Sequence, residues 1–223
     1  VKRDVVRIVT PGTLTDEMLL NEREDNFLCA VHLGRTADTL SWVDLSTGHF
    51  FVQSVPNEKA LDEILRLNPK EVLLAERKGE LFGAETQTLA ARIRQMTSAT
   101  VTERPAWYFE PYSARQKLLK HFGVATLEGF GLGDSDETIC AAGAILEYLE
   151  ETQKTALCHI TKIEKVEPSR FLRIDPTSLH SLEIIQPIRG DHTRGTLLHT
   201  VDRTLTGMGS RLLRSMLCMP LYD

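Results

Sequence analysis

Residues 26–55, NFLCAVHLGRTADTLSWVDLSTGHFFVQSV, decide the fold of the first half of the chain. The segment holds three runs that are rich in β-branched and aromatic residues, at positions 26–33, 39–45 and 49–55. Short turn-forming sequences, Gly34-Arg35 and Ser46-Thr47-Gly48, separate the runs. Short strands with such close connections predict an antiparallel meander.

On the C-terminal side of the meander, the hydrophobic period changes from two residues to about three and a half. Helices are predicted at residues 57–68, 85–96 and 111–121, and strands at 72–75 and 100–102. A meander followed by alternating helices and strands is typical of an α/β ribonuclease-H-like domain, a mixed sheet with flanking helices. On the N-terminal side, residues 5–10 are predicted to form a short strand that ends at the turn Pro11-Gly12.

Three closely spaced glycines, Gly129, Gly131 and Gly133, predict a linker and therefore two domains, 1–128 and 129–223. Asp134, with Glu137 three residues later, resembles a capping box for a helix at 135–154. An extended segment at 162–174 is expected next, followed by a helix that begins at Pro176 and includes residues 182–185. The second domain is therefore predicted to be mainly helical.

The final stretch, residues 195–223, contains two apolar faces at helical spacing. They are formed by Leu197, Leu198 and Val201 and by Met208, Leu212, Leu213, Met216 and Leu217, before Pro220. A helix this apolar normally packs against other helices, so we expect the chain to be a piece of a larger protein. The alternative is an ordinary helix that packs on the core of this chain.

The composition is that of a globular protein without a membrane helix. The net charge is −5, and residues 126–187 hold 5 basic against 11 acidic side chains, which would repel phosphate. No apolar run reaches the roughly 20 residues of a membrane span. Cys29, Cys140, Cys158 and Cys218 have no paired spacing, so reduced thiols in a cytoplasmic protein are expected rather than disulfides or zinc.

Several motifs resemble those of the DNA mismatch-repair MutS family. Residues 9–13, VTPGT, followed by Asp16-Glu17 and Leu19-Leu20, resemble the beginning of its connector domain. Two later groups of residues resemble the start of its helical core. The first group is Asp175, Thr177, Leu182 and Glu183. The second group is Asp202, Thr204, Thr206, Met208, Gly209, Arg211, Leu212 and Leu213. The chain has Ser181 where the family usually has Asn and Gly207 where it usually has Pro.

The resemblance implies a ribonuclease-H-like connector followed by the first, all-α part of the lever-like core. Such a segment transmits conformational change and is not an enzyme. No P-loop sequence occurs in this chain, so the resemblance places ATP and Mg²⁺, like the mismatch-reading domain, elsewhere in the parent protein. The implied partners of that parent are a MutL-like protein, mismatched DNA and a second MutS subunit.

One basic surface is a candidate for the MutL contact. In the helix at 111–121, Tyr112, Leu118, Leu119 and Phe122 are predicted to point inward. Arg115, Gln116, Lys117 and Lys120 are then predicted on the outer side. A simple solvated face is the alternative interpretation.

The rival hypothesis is a metal-dependent nuclease, since ribonuclease-H-like nucleases hold two Mg²⁺ ions with carboxylates. The candidate carboxylates are Asp44, Glu76 and Glu137. A turn-capping role for Asp44 before Ser-Thr-Gly is the alternative interpretation.

Overall fold

The computed structural model describes residues 5–16, 18–76, 83–133, 137–154, 157–167, 170–189 and 194–222, without the side chains of residues 83–87. The chain divides into two compact units. Unit 1 comprises Val1–Thr15 and Asn26–Val166, and unit 2 comprises Asp16–Asp25 and Glu167–Asp223.

Unit 1 is built on one mixed sheet. Its strands are β1 (Phe27–His32), β2 (Asp38–Asp44), β3 (His49–Val55), β4 (Glu71–Glu76), β5 (Thr100–Pro105) and β6 (Glu164–Lys165), in the spatial order β5-β4-β1-β2-β3-β6. The first three strands pair antiparallel, and β4, β5 and β6 each pair parallel to a neighbour. The predicted meander and the mixed sheet with flanking helices are confirmed.

The two faces of this sheet carry separate apolar cores, because successive side chains of a strand point to opposite sides. Cys29 and Val31 pack with α1 (Ala60–Leu67) and α2 (Gly83–Met96) on one face. Leu28 and Ala30 pack on the other face with α3 (Pro111–Phe122) and α4 (Thr138–Gln153). Helices therefore cover both sides of the strands.

Helix α4 belongs to unit 1, which changes the predicted domain boundary. Its residues from Thr138 to Leu146 are all buried, so this half of the helix is covered on every side by the sheet and α3, and only Glu147, Glu150 and Glu151 of the second half are not buried. A helix that is apolar all round must be covered on all sides. The division between the units therefore lies after Val166 and not at Gly129, although the three glycines do form a connection between α3 and α4.

The residues that flank the sheet are less regular than predicted. Residues 5–10 form no strand, because the Ile8 N–H bonds to the Thr152 carbonyl of α4 at 2.7 Å rather than to a strand edge. The extended segment predicted at 162–174 contributes only β6, followed by a hydrogen bond from Val166 N to Val52 O at 2.8 Å. Asp134 lies outside the described residues.

The described residues of unit 2 form three helices around a small core. They are α5 (Pro176–Ser181), α6 (Leu197–Val201) and α7 (Gly207–Cys218), and the core consists of Leu179, Ile184, Ile185 and Cys218. A single bridge pairs Phe171 with Leu221 near the end of α7. Helix α5 ends at Ser181. Residues 182–185 form turns and bends, so the prediction that they continue the helix is wrong.

Helix length and cysteine burial bear on two of the predictions from composition. Among the described residues, no helix combines the length and apolarity needed to cross a membrane. Cys29, Cys140 and Cys218 are buried free thiols, while Cys158 is exposed in the segment between α4 and β6. Burial raises the pKa of the Cys29 thiol well above its ordinary range.

Candidate functional site

Helix α3, which carries the candidate partner-binding residues, has well-defined ends. Glu110 caps its start by accepting a hydrogen bond from Ser113 N at 2.7 Å, and Pro111 occupies the first turn. Gly123 ends the helix in the left-handed region with φ 65°, where glycine has no steric penalty. The predicted extent of this helix is confirmed.

The four predicted surface residues of α3 do not form one exposed face. Gln116 and Lys120 are exposed and Arg115 is half-buried. Lys117 instead turns toward α4, where Nζ is paired with the carboxylates of Glu147 and Glu150. Its exposed fraction of 18% shows that the prediction of a solvent-facing Lys117 is wrong.

The inner side of α3 also differs from the prediction at one position. Leu118 is buried, and Leu119 and Phe122 pack at the edge of the same core. Tyr112 is 72% exposed, because the helix turns Ala114 and not Tyr112 toward α4. Ala114 lies close to Gly143, where a side-chain Cβ would stand 2.3 Å from the Ala114 Cβ.

The three carboxylates of the nuclease hypothesis are not brought together. Asp44 pairs with Phe27 at the start of β1, and its Oδ1 accepts hydrogen bonds from Ser46 N at 2.8 Å and Ser46 Oγ at 2.6 Å. This is the turn-capping role that was the alternative interpretation.

Glu76 and Glu137 lie at the opposite end of the sheet. Glu76 is the last residue of β4, which runs parallel to β1. The Glu137 carbonyl accepts a hydrogen bond from Thr39, and Thr39 pairs with His32, the last residue of β1. The length of β1, roughly 17 Å, therefore separates Asp44 from both. Within the described part of the chain, no group of three His, Cys, Asp or Glu side chains is arranged to hold a metal ion.

The most buried carboxylate among the described residues of unit 1 is Glu71, which was not among the residues predicted from the sequence to be important. Its exposed fraction is 1%, and its two oxygens accept four hydrogen bonds from three separate parts of the chain. Oε1 binds the hydroxyls of Thr102 and Tyr148, both at 2.7 Å. Oε2 binds Thr10 Oγ1 at 2.6 Å and Gly12 N at 3.1 Å.

Charge and aromatic groups surround this buried carboxylate. The guanidinium carbon of Arg104 lies 4.6 Å from the ring centroid of Tyr148, and Arg104 Nη1 is 3.9 Å from Glu151 Oε2. Burial, together with the hydrogen bond to Glu71, raises the pKa of Tyr148, so this hydroxyl stays a donor at neutral pH. A single Glu before the apolar run 72–75 was the only sequence signal for this network.

In unit 2, Asp175 and Glu183 organise the backbone around α5. Asp175 caps the helix, since its carboxylate accepts from Ser178 N at 3.0 Å and Ser178 Oγ at 2.6 Å, and these bonds lower the Asp175 pKa. Glu183 has φ 48°, and its carboxylate accepts from Ile188 N at 2.8 Å while its carbonyl accepts from Leu197 N at 2.9 Å. Thr177 and Leu182 are exposed.

The second motif of unit 2 is a network centred on Asp202. Its carboxylate accepts from Thr204 Oγ1 at 2.6 Å, Ser210 Oγ at 2.7 Å and Thr204 N at 2.9 Å, and these bonds hold the Asp202 pKa well below its usual range. Arg23 Nη1 lies 3.2 Å from the same carboxylate.

The remaining motif residues shape the start of α7. Thr206 caps the helix by accepting from Gly209 N at 3.2 Å. A Cβ at Gly209 would lie 3.2 Å from the Cβ of Thr204, so a small residue fits best there. Arg211 donates to the Glu22 carbonyl at 2.7 Å. The helix begins at Gly207 although this chain lacks proline there.

Helix α7 keeps much of its apolar surface uncovered within unit 2. Met208, Leu212 and Met216 are exposed, while Leu213 and Leu217 are half-buried. The five residues predicted to share one face therefore divide between an exposed and a half-buried side.

Comparison with known proteins identifies the family of this chain. Residues 26–161 match the family description "MutS domain II", and residues 177–223 match "MutS domain III". The chain belongs to the MutS family. The two matched MutS regions lie on either side of the division observed after Val166.

Three curated relatives, each named DNA mismatch repair protein MutS, match over the whole of this MutS chain. The protein of Salinibacter ruber is 40% identical over 227 residues, 24% of its own length. That of Desulfatibacillum aliphaticivorans is 38% identical over 224 residues, and that of Symbiobacterium thermophilum is 40% identical over 227 residues, 25% of each. The chain therefore spans about a quarter of the length of these relatives.

Proposed function

We propose that this chain acts in DNA mismatch repair as the connector and the first part of the lever-like core of a MutS protein. The observation that carries the proposal is the succession of MutS domain II and MutS domain III along the chain. The relatives that match its full length are named for mismatch repair. In this role the segment couples the ATPase state of the parent protein to its contact with mismatched DNA.

The chain itself does not catalyse a reaction in this proposal. Two of its buried carboxylates, Glu71 and Asp44, are engaged by hydroxyl and amide donors and serve structure. ATP and Mg²⁺ bind other domains of the parent, which acts as a homodimer in the cytoplasm. Coupling then depends on how packed helices and loops switch arrangement, and not on a reactive side chain.

A chimeric protein tests this function directly. The matching quarter of the Desulfatibacillum aliphaticivorans MutS protein is replaced by residues 1–223 and expressed in a strain that lacks MutS. We expect the chimera to lower the frequency of spontaneous mutation and to hydrolyse ATP faster with mismatched than with matched duplex DNA. A folded chimera that binds mismatches and hydrolyses ATP but shows no dependence of ATP turnover on the mismatch contradicts the proposal.

The contact with MutL is proposed to use the exposed part of α3, namely Gln116 and Lys120 with the half-buried Arg115. Lys117 is excluded from this surface because α4 holds its ammonium group. In the chimera, Gln116→Glu combined with Lys120→Glu is expected to abolish MutL binding while mismatch-dependent ATP turnover remains.

A matched control exists on the opposite face of the sheet. Arg92 and Gln95 are exposed on α2, and Arg92→Glu with Gln95→Glu makes the same change of side-chain type and charge. This control variant is expected to bind MutL normally. Equal loss of MutL binding in both variants would mean that net charge, and not α3, determines the contact.

The absence of nuclease activity is tested separately. The chain is expected to leave DNA and RNA intact in Mg²⁺ or Mn²⁺, since about 17 Å of strand separates Asp44 from Glu76 and Glu137. Metal-dependent cleavage that disappears in Asp44→Asn would require the nuclease assignment instead.

A further inference from the structure

Residues 5–13 form a short segment, here called the strap, that lies across one end of unit 1. Arg7 Nη2 donates to the Thr13 carbonyl at 2.8 Å, and Thr10 N donates to Thr13 Oγ1 at 2.9 Å. Thr13 N in turn donates to the Thr10 carbonyl at 3.0 Å. These internal hydrogen bonds give the strap a shape of its own.

The strap contributes little to the apolar cores of unit 1. Val5, Val6, Ile8 and Val9 are all exposed, with Val6 78% exposed. Only Gly12 and Thr13 of the strap are buried, and neither carries a large apolar side chain. A segment with few buried apolar contacts is held mainly by hydrogen bonds and opens at low cost.

The two carboxylate oxygens of Glu71 accept hydrogen bonds from different parts of unit 1, one from the strap and the other from the sheet and α4. Oε1 accepts from Thr102 of β5 and Tyr148 of α4, which belong to the sheet and the helix that covers it. Oε2 accepts only from the strap, through Thr10 Oγ1 and Gly12 N. A Cβ at Gly12 would lie 2.8 Å from the Glu71 Cβ, so the strap backbone rests directly on this side chain.

We propose that the strap detaches from unit 1 as one piece and that Glu71 Oε2 is its fastening point. When the strap lifts, Oε1 keeps both hydroxyl donors, and Oε2 becomes accessible to water, which replaces the two lost hydrogen bonds. The carboxylate is therefore satisfied in both arrangements, and opening leaves no buried charge without a partner. A segment that alternates between a bound and a detached position requires that neither position leave a buried charge without hydrogen bonds.

Water can also replace the remaining hydrogen bonds between the strap and unit 1. Ile8 N donates to the Thr152 carbonyl at 2.7 Å, and Gln153 Nε2 donates to the Ile8 carbonyl at 3.4 Å, both at the C-terminal end of α4. Asn26 Nδ2 donates to the Pro11 carbonyl at 3.2 Å. Carbonyls at the end of a helix lack partners within the helix and are readily hydrated. Detachment therefore needs no rearrangement of the sheet.

Detachment would convert residues 5–13 from a bound segment into an extended tether. Nine fully extended residues span at most about 30 Å.

Hydrogen–deuterium exchange of the 223-residue chain tests the strap. Thr10→Val removes the hydroxyl that donates to Oε2, which also lies 2.9 Å from Thr13 Oγ1 within the strap, with little change in side-chain volume. We expect exchange in peptides that contain the amides of Ile8, Gly12 and Thr13 to rise about tenfold, the effect of losing one hydrogen bond to a charged group. Exchange in β4 and α4 should stay at the wild-type level.

Thr102→Val is the matched control, because it removes one hydroxyl donor from Oε1 of the same carboxylate. It should leave strap exchange unchanged, and Thr10→Ser, which keeps the hydroxyl, should restore wild-type exchange. The proposal is wrong if Thr10→Val leaves the strap unaffected, or if Thr102→Val frees it equally. Faster exchange or unfolding throughout unit 1 in Thr10→Val would likewise overturn it, since the strap would then be an integral part of the fold.

Discussion

Lys117 places one positive charge between two carboxylates of α4, Glu147 and Glu150. Replacing it with Met keeps most of the aliphatic stem but leaves the two carboxylates facing each other without a cation. We expect Lys117→Met to lower the free energy of unfolding by about 1 kcal/mol or more, measured by urea denaturation. Lys120→Met, on the exposed side of the same helix, should change it by less than about 0.5 kcal/mol.

The contribution of Lys117 should also depend on pH. Burial alone would lower its pKa, but the hydrogen bonds that Lys117 donates to Glu147 and Glu150, with the charge of the two carboxylates, outweigh burial and raise it. A pKa raised in the folded state means that the stabilisation is complete below the unfolded pKa of about 10.4 and is lost as pH rises through the folded pKa. The stability difference between wild type and Lys117→Met should therefore be constant from neutral pH to about 10 and shrink above it. A difference that stays constant at higher pH contradicts the ion-pair explanation.

At the scale of single residues, the sequence predicted local roles better than distant ones. The capping role of Asp44 depends on Ser46, two residues away, and it was visible in the local pattern. The role of Glu71 depends on hydroxyls at positions 10, 102 and 148, which only the folded chain brings together. Lys117 was misplaced for the same reason, since its partners are on another helix.

Helices α3 and α4 approach each other closely at Ala114 and Gly143. A Cβ at position 143 would lie 2.3 Å from the Cβ and 2.6 Å from the Cα of Ala114. Gly→Ala inside a helix normally stabilises by up to about 1 kcal/mol, but forced overpacking costs about 1–3 kcal/mol. We expect Gly143→Ala to lower the midpoint of thermal unfolding, because a backbone atom of α3 cannot move aside alone.

The control for this substitution is Gly129→Ala, where a Cβ would meet nothing within 4 Å. It should leave the thermal midpoint nearly unchanged. A stabilised Gly143→Ala would show that α3 moves away from α4 without cost.

Elements with clear periodicity and clear end signals were predicted from sequence almost to the residue. The three strands of the meander and α3 are examples, since turn residues or caps mark each end. Helix α4 was predicted as an element but assigned to the wrong unit, because its periodic stripe hid the burial of its other sides. Residues 5–10 have the composition of a strand but bond to a helix end, which no local pattern reveals.

For the whole molecule, the division after Val166 leads to a prediction about fragments. Residues 1–166 contain both cores of unit 1 and should unfold cooperatively in urea, as a single domain of this size does. Residues 1–128 lack α4 and leave one face of the sheet uncovered, so this fragment should unfold gradually or aggregate. A sharp transition of 1–128 that matches that of 1–166 would restore the boundary at the glycines.

Cys158 is exposed, whereas Cys29, Cys140 and Cys218 are buried in the two units. A maleimide dye or spin label added under native conditions should therefore react once per chain, without any cysteine having to be removed. The attachment point follows α4 and precedes β6, where neighbouring Leu157 and Ile160 are buried and hold the backbone in place. Native labelling at this position gives a spectroscopic probe fixed to unit 1, from which distances to a second label on the N-terminal segment can be measured.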